Sequence, residues 1–405
     1  MFRLDGTRFS HVWEQRKLGE ISDKVKEKNK SREITETLTN SAEHGIINQR
    51  DFFDKDISNV KNLDSYYVVR NDDFVYNPRI SNFAPVGPIK RNKLGRTGVM
   101  SPLYYVFRTH DINKNYLEKY FDTVYWHCFM ELNGDSGARA DRFAIKDSVF
   151  IDMPIPYPSV YEQKKIGGFF NQLDATITLH QRKLELLKRL KQGYLQKMFP
   201  KSGEKVPELR FAGFDEEWEQ HKLGDLANFS KGKGYTKNDL IEKGSPIILY
   251  GRLYTSYETI IKEVDTFVDV KDKSMFSEGN EVVVPASGET AEDISRASVI
   301  GKEGIILSGD LNIIKPKEEI NSVFLALTIS NGPQQKEMTK RAQGKSVVHL
   351  HNSDLKQVEL IYPSSEEQKK IGVFFEQFDD NISFHQNKIN QLKSLKVLSL
   401  KKMFV

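Results

Sequence analysis

Tyr157-Pro158-Ser159-Val160-Tyr161-Glu162-Gln163-Lys164-Lys165-Ile166-Gly167 recurs as Tyr362-Pro363-Ser364-Ser365-Glu366-Glu367-Gln368-Lys369-Lys370-Ile371-Gly372, a displacement of 205 positions. Followed on to Phe199 and Phe404, the two copies agree at about 25 of 43 aligned positions. The same displacement relates Trp13-Glu14-Gln15-Arg16-Lys17-Leu18-Gly19-Glu20 to Trp218-Glu219-Gln220-His221-Lys222-Leu223-Gly224-Asp225. The chain is therefore a duplication. Between the shared blocks the halves stop resembling each other while keeping nearly the same length. A solenoid uses shorter periods and varies evenly along its unit. Two similar platforms carrying different surfaces fit this pattern better.

Downstream of the repeated motif, Phe170, Leu173, Ile177, His180, Leu184, Leu187, Lys191, Tyr194 and Met198 follow at alternating spacings of three and four, the signature of a heptad seam. The second copy runs Phe375, Phe378, Ile382, His385, Ile389, Leu392, Lys396, Ser399 and Met403. The spacing predicts a helix from about Ile166 to Met198, on the order of 50 Å long at ~1.5 Å per residue. Pro200 stops it for want of an amide donor, and Lys201-Ser202-Gly203 continues as a linker. With a globular segment between the two helices and a short linker, antiparallel pairing is the easier arrangement. His180, Lys191, His385 and Lys396 place polar groups on the seam, which fixes register at some expense of stability. No Cys, Asp or third His accompanies the histidines at ligand spacing, so a metal is not expected there. Lys164, Lys165, Arg182, Lys183, Lys188 and Arg189 read as a solvated helix face.

The fold expected is α+β: two globular mixed α/β domains joined by two long antiparallel coiled-coil helices, with a pseudo-twofold internal repeat. The boundaries expected are residues 1–157 for the first domain, 158–199 for its helix, 200–217 for a linker, 218–362 for the second domain and 363–405 for its helix. Strands are predicted at Tyr66–Val69, Tyr104–Phe107, Glu281–Val284 and Gly304–Leu307, with helices near Leu117–Glu131 and Ser322–Lys340.

Composition sets the limits. Across 405 residues, 38% are hydrophobic and 29% charged, as in a folded globular protein. The amino terminus is charged where a signal peptide is apolar, and no apolar run approaches a membrane span, so a cytoplasmic location without membrane contact is expected. The single cysteine, Cys128, offers no internal disulfide. A net charge of +4 leaves nucleic-acid affinity to local patches.

Those patches are readable. Lys90, Arg91, Lys93 and Arg96 put four cations in seven residues without an acid, suited to phosphate. Arg139 and Arg142, and Arg79 after Asn77-Pro78, carry the fork geometry that reads guanine. In the second half, Lys231, Lys233 and Tyr235, Tyr250 with Arg252, and Arg341 with Lys345 repeat the theme of cations, exposed backbone and aromatic rings.

Catalytic motifs fail in turn. Gly344-Lys345-Ser346 ends like a phosphate-binding loop, but Thr339 stands where its first glycine belongs. Gly232 and Gly234 lack the third glycine of a dinucleotide fingerprint. Asp269-Val270-Lys271 has the tail of a nuclease site without its upstream carboxylate, and Asn77-Pro78-Arg79 does not match an adenine-methylating loop. An active site is not expected. The alternatives are a coiled-coil scaffold binding proteins, or a self-contained nuclease or methylase.

Trp-Glu-x-x-Lys-Leu-Gly opening a variable domain, with Tyr-Pro-Ser, Glu-Gln-Lys-Lys-Ile-Gly and a heptad helix closing it, resembles the specificity subunit of type I restriction-modification systems. The resemblance covers nearly the whole chain, twice, and Glu162–Gly167 and Glu367–Gly372 are its most specific elements. It implies one target-recognition domain per half, reading a bipartite, asymmetric site in double-stranded DNA, with the helices setting the spacer. It also implies partners: two modification subunits that carry S-adenosylmethionine and methylate adenine, and restriction subunits that use ATP and Mg to translocate and cleave. No base contact can be carried over by motif, because the recognition domains of the family vary freely.

Overall fold

The repeated motifs meet each other in space. Glu14–Lys17 pairs antiparallel with Pro154–Tyr157, Glu14 opposite Tyr157, and Glu219–Lys222 pairs in the same way with Glu359–Tyr362, Glu219 opposite Tyr362. Each copy of the Trp-Glu block is thus stitched to the Tyr-Pro block that closes its own half. The computed structural model describes residues 13–52, 60–135, 141–342 and 347–404. It divides into two units, residues 1–179 with 389–405, and residues 180–388. Each unit contains one globular domain and parts of both long helices.

In the first unit a four-stranded antiparallel sheet runs in the order Ser22–Lys24, Tyr105–Thr109, Phe74–Tyr76, Ile89–Arg91. Phe74 and Phe107 stack across neighbouring strands at 5.5 Å and, with Tyr116, Phe121, Phe150 and Phe170, form a fully buried aromatic core. The apolar run expected as one helix from Leu117 to Glu131 is two, Lys114–Phe121 and His127–Asn133. Thr123 breaks it by turning its hydroxyl onto the carbonyl of Tyr120 at 2.6 Å, a local bond that competes with the helix ladder. Asn113 caps the first of the pair, its side chain accepting from Tyr116 N–H.

The second unit repeats the frame. Ala227–Lys231, Leu311–Pro316, Val282–Pro285 and Ser298–Ile300 follow in the same order, with Ile260–Ile261 added at the edge. A second sheet, in the order Phe267–Val268, Ser245–Ile248, Glu303–Leu307, Phe276–Glu278, is matched in the first domain by Gly45–Asn48, Leu38–Ser41, Gly98–Met100 and Tyr67–Val69, with a single parallel bridge, Thr37 to Val99, where the second domain has a parallel strand pair. The helix expected over Ser322–Lys340 is also two, Ser322–Ile329 and Gly332–Arg341. Gly332, at φ +69°, and Pro333 force the break, since proline cannot donate into a continuing ladder.

The long helices are Val160–Lys197 and Ser365–Met403. Within the first unit Phe170 stacks on Phe404 at 6.4 Å and Lys396 reaches Asp174 at 2.6 Å. Within the second, Phe375 lies 6.2 Å from Phe199, Tyr194 meets Phe374 at 5.1 Å, and Lys191 pairs with Asp379. Numbers rise along one helix as they fall along the other, so the pairing is antiparallel in both units. Phe170–Phe404 and Phe375–Phe199 are copies of one contact, as are Asp174–Lys396 and Asp379–Lys191. The seam lysines therefore do more than interrupt the apolar stripe: each finds one aspartate on the facing helix. Among the described residues no helix is long and apolar enough to cross a membrane.

Residues 200–217, expected as a plain linker, are fastened to the second unit. Arg210 grips Glu367 through two bonds of 2.9 and 2.7 Å, and the two side chains are only 11% and 1% exposed. Leu209 N–H donates to Lys197 and Trp218 N–H to Lys205.

Candidate nucleic-acid interface

The most specific element of the sequence turns out to be a joint. Gln163 is fully buried; its side-chain carbonyl accepts from Asn113 N–H at 2.8 Å, and its amide donates to the carbonyl of Pro158 at 2.8 Å. Gln368 repeats this with Asn321 and Pro363, each at 2.8 Å. Each glutamine thus ties the cap of a domain helix to the start of a long helix, satisfying buried backbone groups that water cannot reach. Gly167 lets the two elements close up: a Cβ there would lie 2.8 Å from Asn115 Cβ. Glu162 accepts from Trp13 Nε1 at 3.1 Å, a bond that opposes the upward push of burial on its carboxyl.

The cations at 90–96 are not a free loop. Lys90 and Arg91 lie on a strand, and all four are paired: Lys90 with Asp122 at 3.0 Å, Arg91 with Glu118 at 2.6 Å, Lys93 with Glu118 at 3.0 Å and Arg96 with Glu36 at 2.8 Å. Arg91 is 8% exposed and also donates to Asn115. Burial alone would raise the Asp122 carboxyl, yet Lys90 and Lys119 hold it below the usual range. Arg96 does the same for Glu36 against a smaller burial effect. The acids that the local sequence lacks come from distant segments. Only Lys93 and Arg96, each 52% exposed, retain a solvent face.

In the second domain the basic candidates separate. Lys231 and Lys233 are exposed, and no carboxylate pairs with either among the described residues. Their loop is pinned by Gly232 N–H to Leu311, Lys233 N–H to Leu307 and Gly309 N–H to Gly234. A Cβ at Gly232 would fall 1.9 Å from the Ser308 carbonyl, so this close approach requires glycine. Tyr235, expected as an exposed ring, is 7% exposed; its hydroxyl meets Ser274 at 2.5 Å and accepts from Lys271 N–H at 2.7 Å. It anchors the loop and cannot stack on a base. Tyr250 is half-buried against Ile248 and Leu253 with Tyr254 beside it. Arg252 is held by Asp265 and Glu258, both at 2.9 Å, and Arg341 by Glu337 at 2.6 Å.

Arg79 and Arg142 behave differently. They are 63 positions apart in sequence yet stand directly opposite one another in an antiparallel bridge. Asp141 is the carboxylate near both, at 3.9 and 4.0 Å. Arg139 and Lys345 lie outside the described residues. Nothing in the sequence had linked Arg79 to Arg142, because their juxtaposition depends on the fold.

The profile described as "Type I restriction modification DNA specificity domain" matches residues 11–189 and again 215–394. The type I restriction enzyme MjaVIII specificity subunit of Methanocaldococcus jannaschii is 21% identical over 266 residues, 62% of this chain; the alignment spans 61% of that relative's length. The type I restriction-modification system S subunit from M. genitalium has a similar fold, with a TM-score of 0.62 at 15% identity over all of this chain and 98% of that one. A chain solved in work on complex assembly and conformational transition of the type I R-M system gives 0.51 at 14% identity, over 98% and 99% of the two chains. With the family match spanning both halves, the chain belongs to the type I restriction-modification DNA specificity family and carries its domain twice.

Proposed function

We propose that this chain is the non-catalytic specificity subunit of a type I restriction-modification complex. Each domain reads one half of a bipartite, asymmetric site in double-stranded DNA, and the paired long helices set the unspecified spacer. Two modification subunits carrying S-adenosylmethionine dock on it to methylate adenine, and restriction subunits add ATP- and Mg-dependent translocation and cleavage. The observation that carries this reading is the family domain occurring twice on one repeated frame with unlike surfaces. A reader of two different half-sites needs that combination, whereas a symmetric scaffold would repeat its surfaces too. Lys93, Arg96, Lys231 and Lys233 are assigned to phosphates, where a solvent-facing cation suffices. Lys90, Arg91, Arg252 and Arg341, less exposed and turned onto carboxylates of their own domains, serve the fold instead.

Filter binding of the full chain to duplex DNA at 50 to 200 mM salt tests the DNA reading. Affinity should fall steeply with salt, by roughly one decade per decade of salt for each phosphate contact. A protein-binding scaffold would bind little DNA and show no such slope.

A further inference from the structure

The bridge at Arg79 and Arg142 is not an isolated feature of the first domain. Arg79 is three residues beyond Tyr76, which pairs with Tyr105 on the central strand. In the second domain Ser287 is three residues beyond Val284, which pairs with Asn312 on the equivalent strand, and Ser287 stands opposite His349. The supporting bonds match as well: Phe143 N–H donates to Pro78 at 2.8 Å, and Leu350 N–H donates to Ala286 at 3.0 Å. In both domains the second segment of the ladder comes after the second helix of the helix pair. The frame therefore builds the same two-segment ladder twice and fills it with different polar side chains.

Stability does not explain the first of these pairs. The flanking bonds, Ile80 N–H to Asp141 at 3.1 Å and Phe143 N–H to Pro78, make Arg79 and Arg142 a closely spaced pair whose side chains share one face. Like charges opposed in this way weaken a sheet. Asp141 is beyond hydrogen-bond distance of both, whereas Arg91, Arg96 and Arg108 hold their carboxylates at 2.6, 2.8 and 2.7 Å. Among the described residues neither guanidinium donates a hydrogen bond to a carboxylate, and Arg79 is 61% and Arg142 29% exposed. In the second domain the exposed His349 ring lies parallel to that of His351, 6.3 Å away, while Ser287, its partner in the register, is buried. A two-stranded ladder fits the major groove, where a guanidinium fork matches the two acceptors of guanine.

We propose that this ladder is the base-reading element of each domain: Arg79 and Arg142 read guanine in the first domain's half-site, and His349 reads the corresponding position of the second. The proposal rests on the DNA-reading function and adds to it the specificity-determining residues. It is tested by selecting the full chain on a pool of random-sequence DNA duplexes and sequencing what binds. The wild type should select a two-part word with guanine in one part. Arg79→Lys with Arg142→Lys keeps both charges but loses the fork, and should reduce discrimination at that guanine about tenfold or more, leaving the other part unchanged. His349→Gln, at an exposed ring, should alter only the other part, and gives an independent arm should the lysine variant not fold. If the wild type selects a word and these variants select the same word in full, the ladder is not the reader although the DNA function stands. If the wild type selects no word, the DNA function itself falls, and the ladder assignment with it.

Discussion

At the residue scale, buried charge and a shared proton offer the sharpest tests. Glu367 is almost wholly buried and satisfied by Arg210. Arg210→Ala should destabilise the second unit by about 3–5 kcal/mol, because removing one partner strands the other; urea unfolding measures it, and a change below about 1 kcal/mol would show that the carboxylate finds water. His180 and His385 meet Nδ1 to Nδ1 at 2.7 Å, so one ring donates while the other accepts, and only one proton fits between them. Burial first, then His180 and Lys183, hold His385 below its ordinary value of 6.5. A histidine depressed in the folded state keeps its contribution above the unfolded value and loses it as pH falls. Stability should thus drop as pH is lowered through 6.5. The drop should flatten in a His180→Leu, His385→Leu chain followed by urea unfolding between pH 7.5 and 5.5. An unchanged pH slope would remove the pair from the account.

At the element scale, the repeated motifs and the seam were legible because their partners are fixed by spacing along one helix. Phe170, Leu173, Ile177, Leu184 and Met198 are all buried where the heptad puts them. What stayed hidden depends on segments remote in sequence. The run at 90–96 contains no acid, yet Asp122, Glu118 and Glu36 arrive from elsewhere to neutralise it. Tyr235 reads as a solvent-facing aromatic and is instead the peg of its loop. His349 carries no charge signal at all, and only the repeated frame points to it. The break in each helix pair was equally invisible to apolar spacing, since Thr123 acts through a hydroxyl bond to the backbone and Gly332 through its positive φ. The joint at Gly167 gives a direct check: Gly167→Val should overpack against Asn115 and Asn113 and cost about 1–3 kcal/mol of thermal or urea stability, whereas the same change at Gly168, where a Cβ meets nothing within 4 Å, should cost far less.

At the scale of the whole molecule, duplication followed by divergence of the inserted surfaces accounts for the chain. One frame is used twice, and each copy is tied to its long helix by the same buried glutamine. On the proposed function, adding four residues to both long helices, after Leu187 and Leu392, lengthens each by ~6 Å and should widen the spacer by about two base pairs at ~3.4 Å each, both half-sites persisting. Half-sites that change while the spacer holds would contradict the helices' role. Exchanging residues 23–152 for another recognition domain should change one half-site alone. The most direct measurement of the central claim is to co-express the chain with its modification subunit in a methylation-free host and map N6-methyladenine across the genome. A single two-part motif with a fixed gap is the predicted result; no methylation from a stable, purified complex would contradict it.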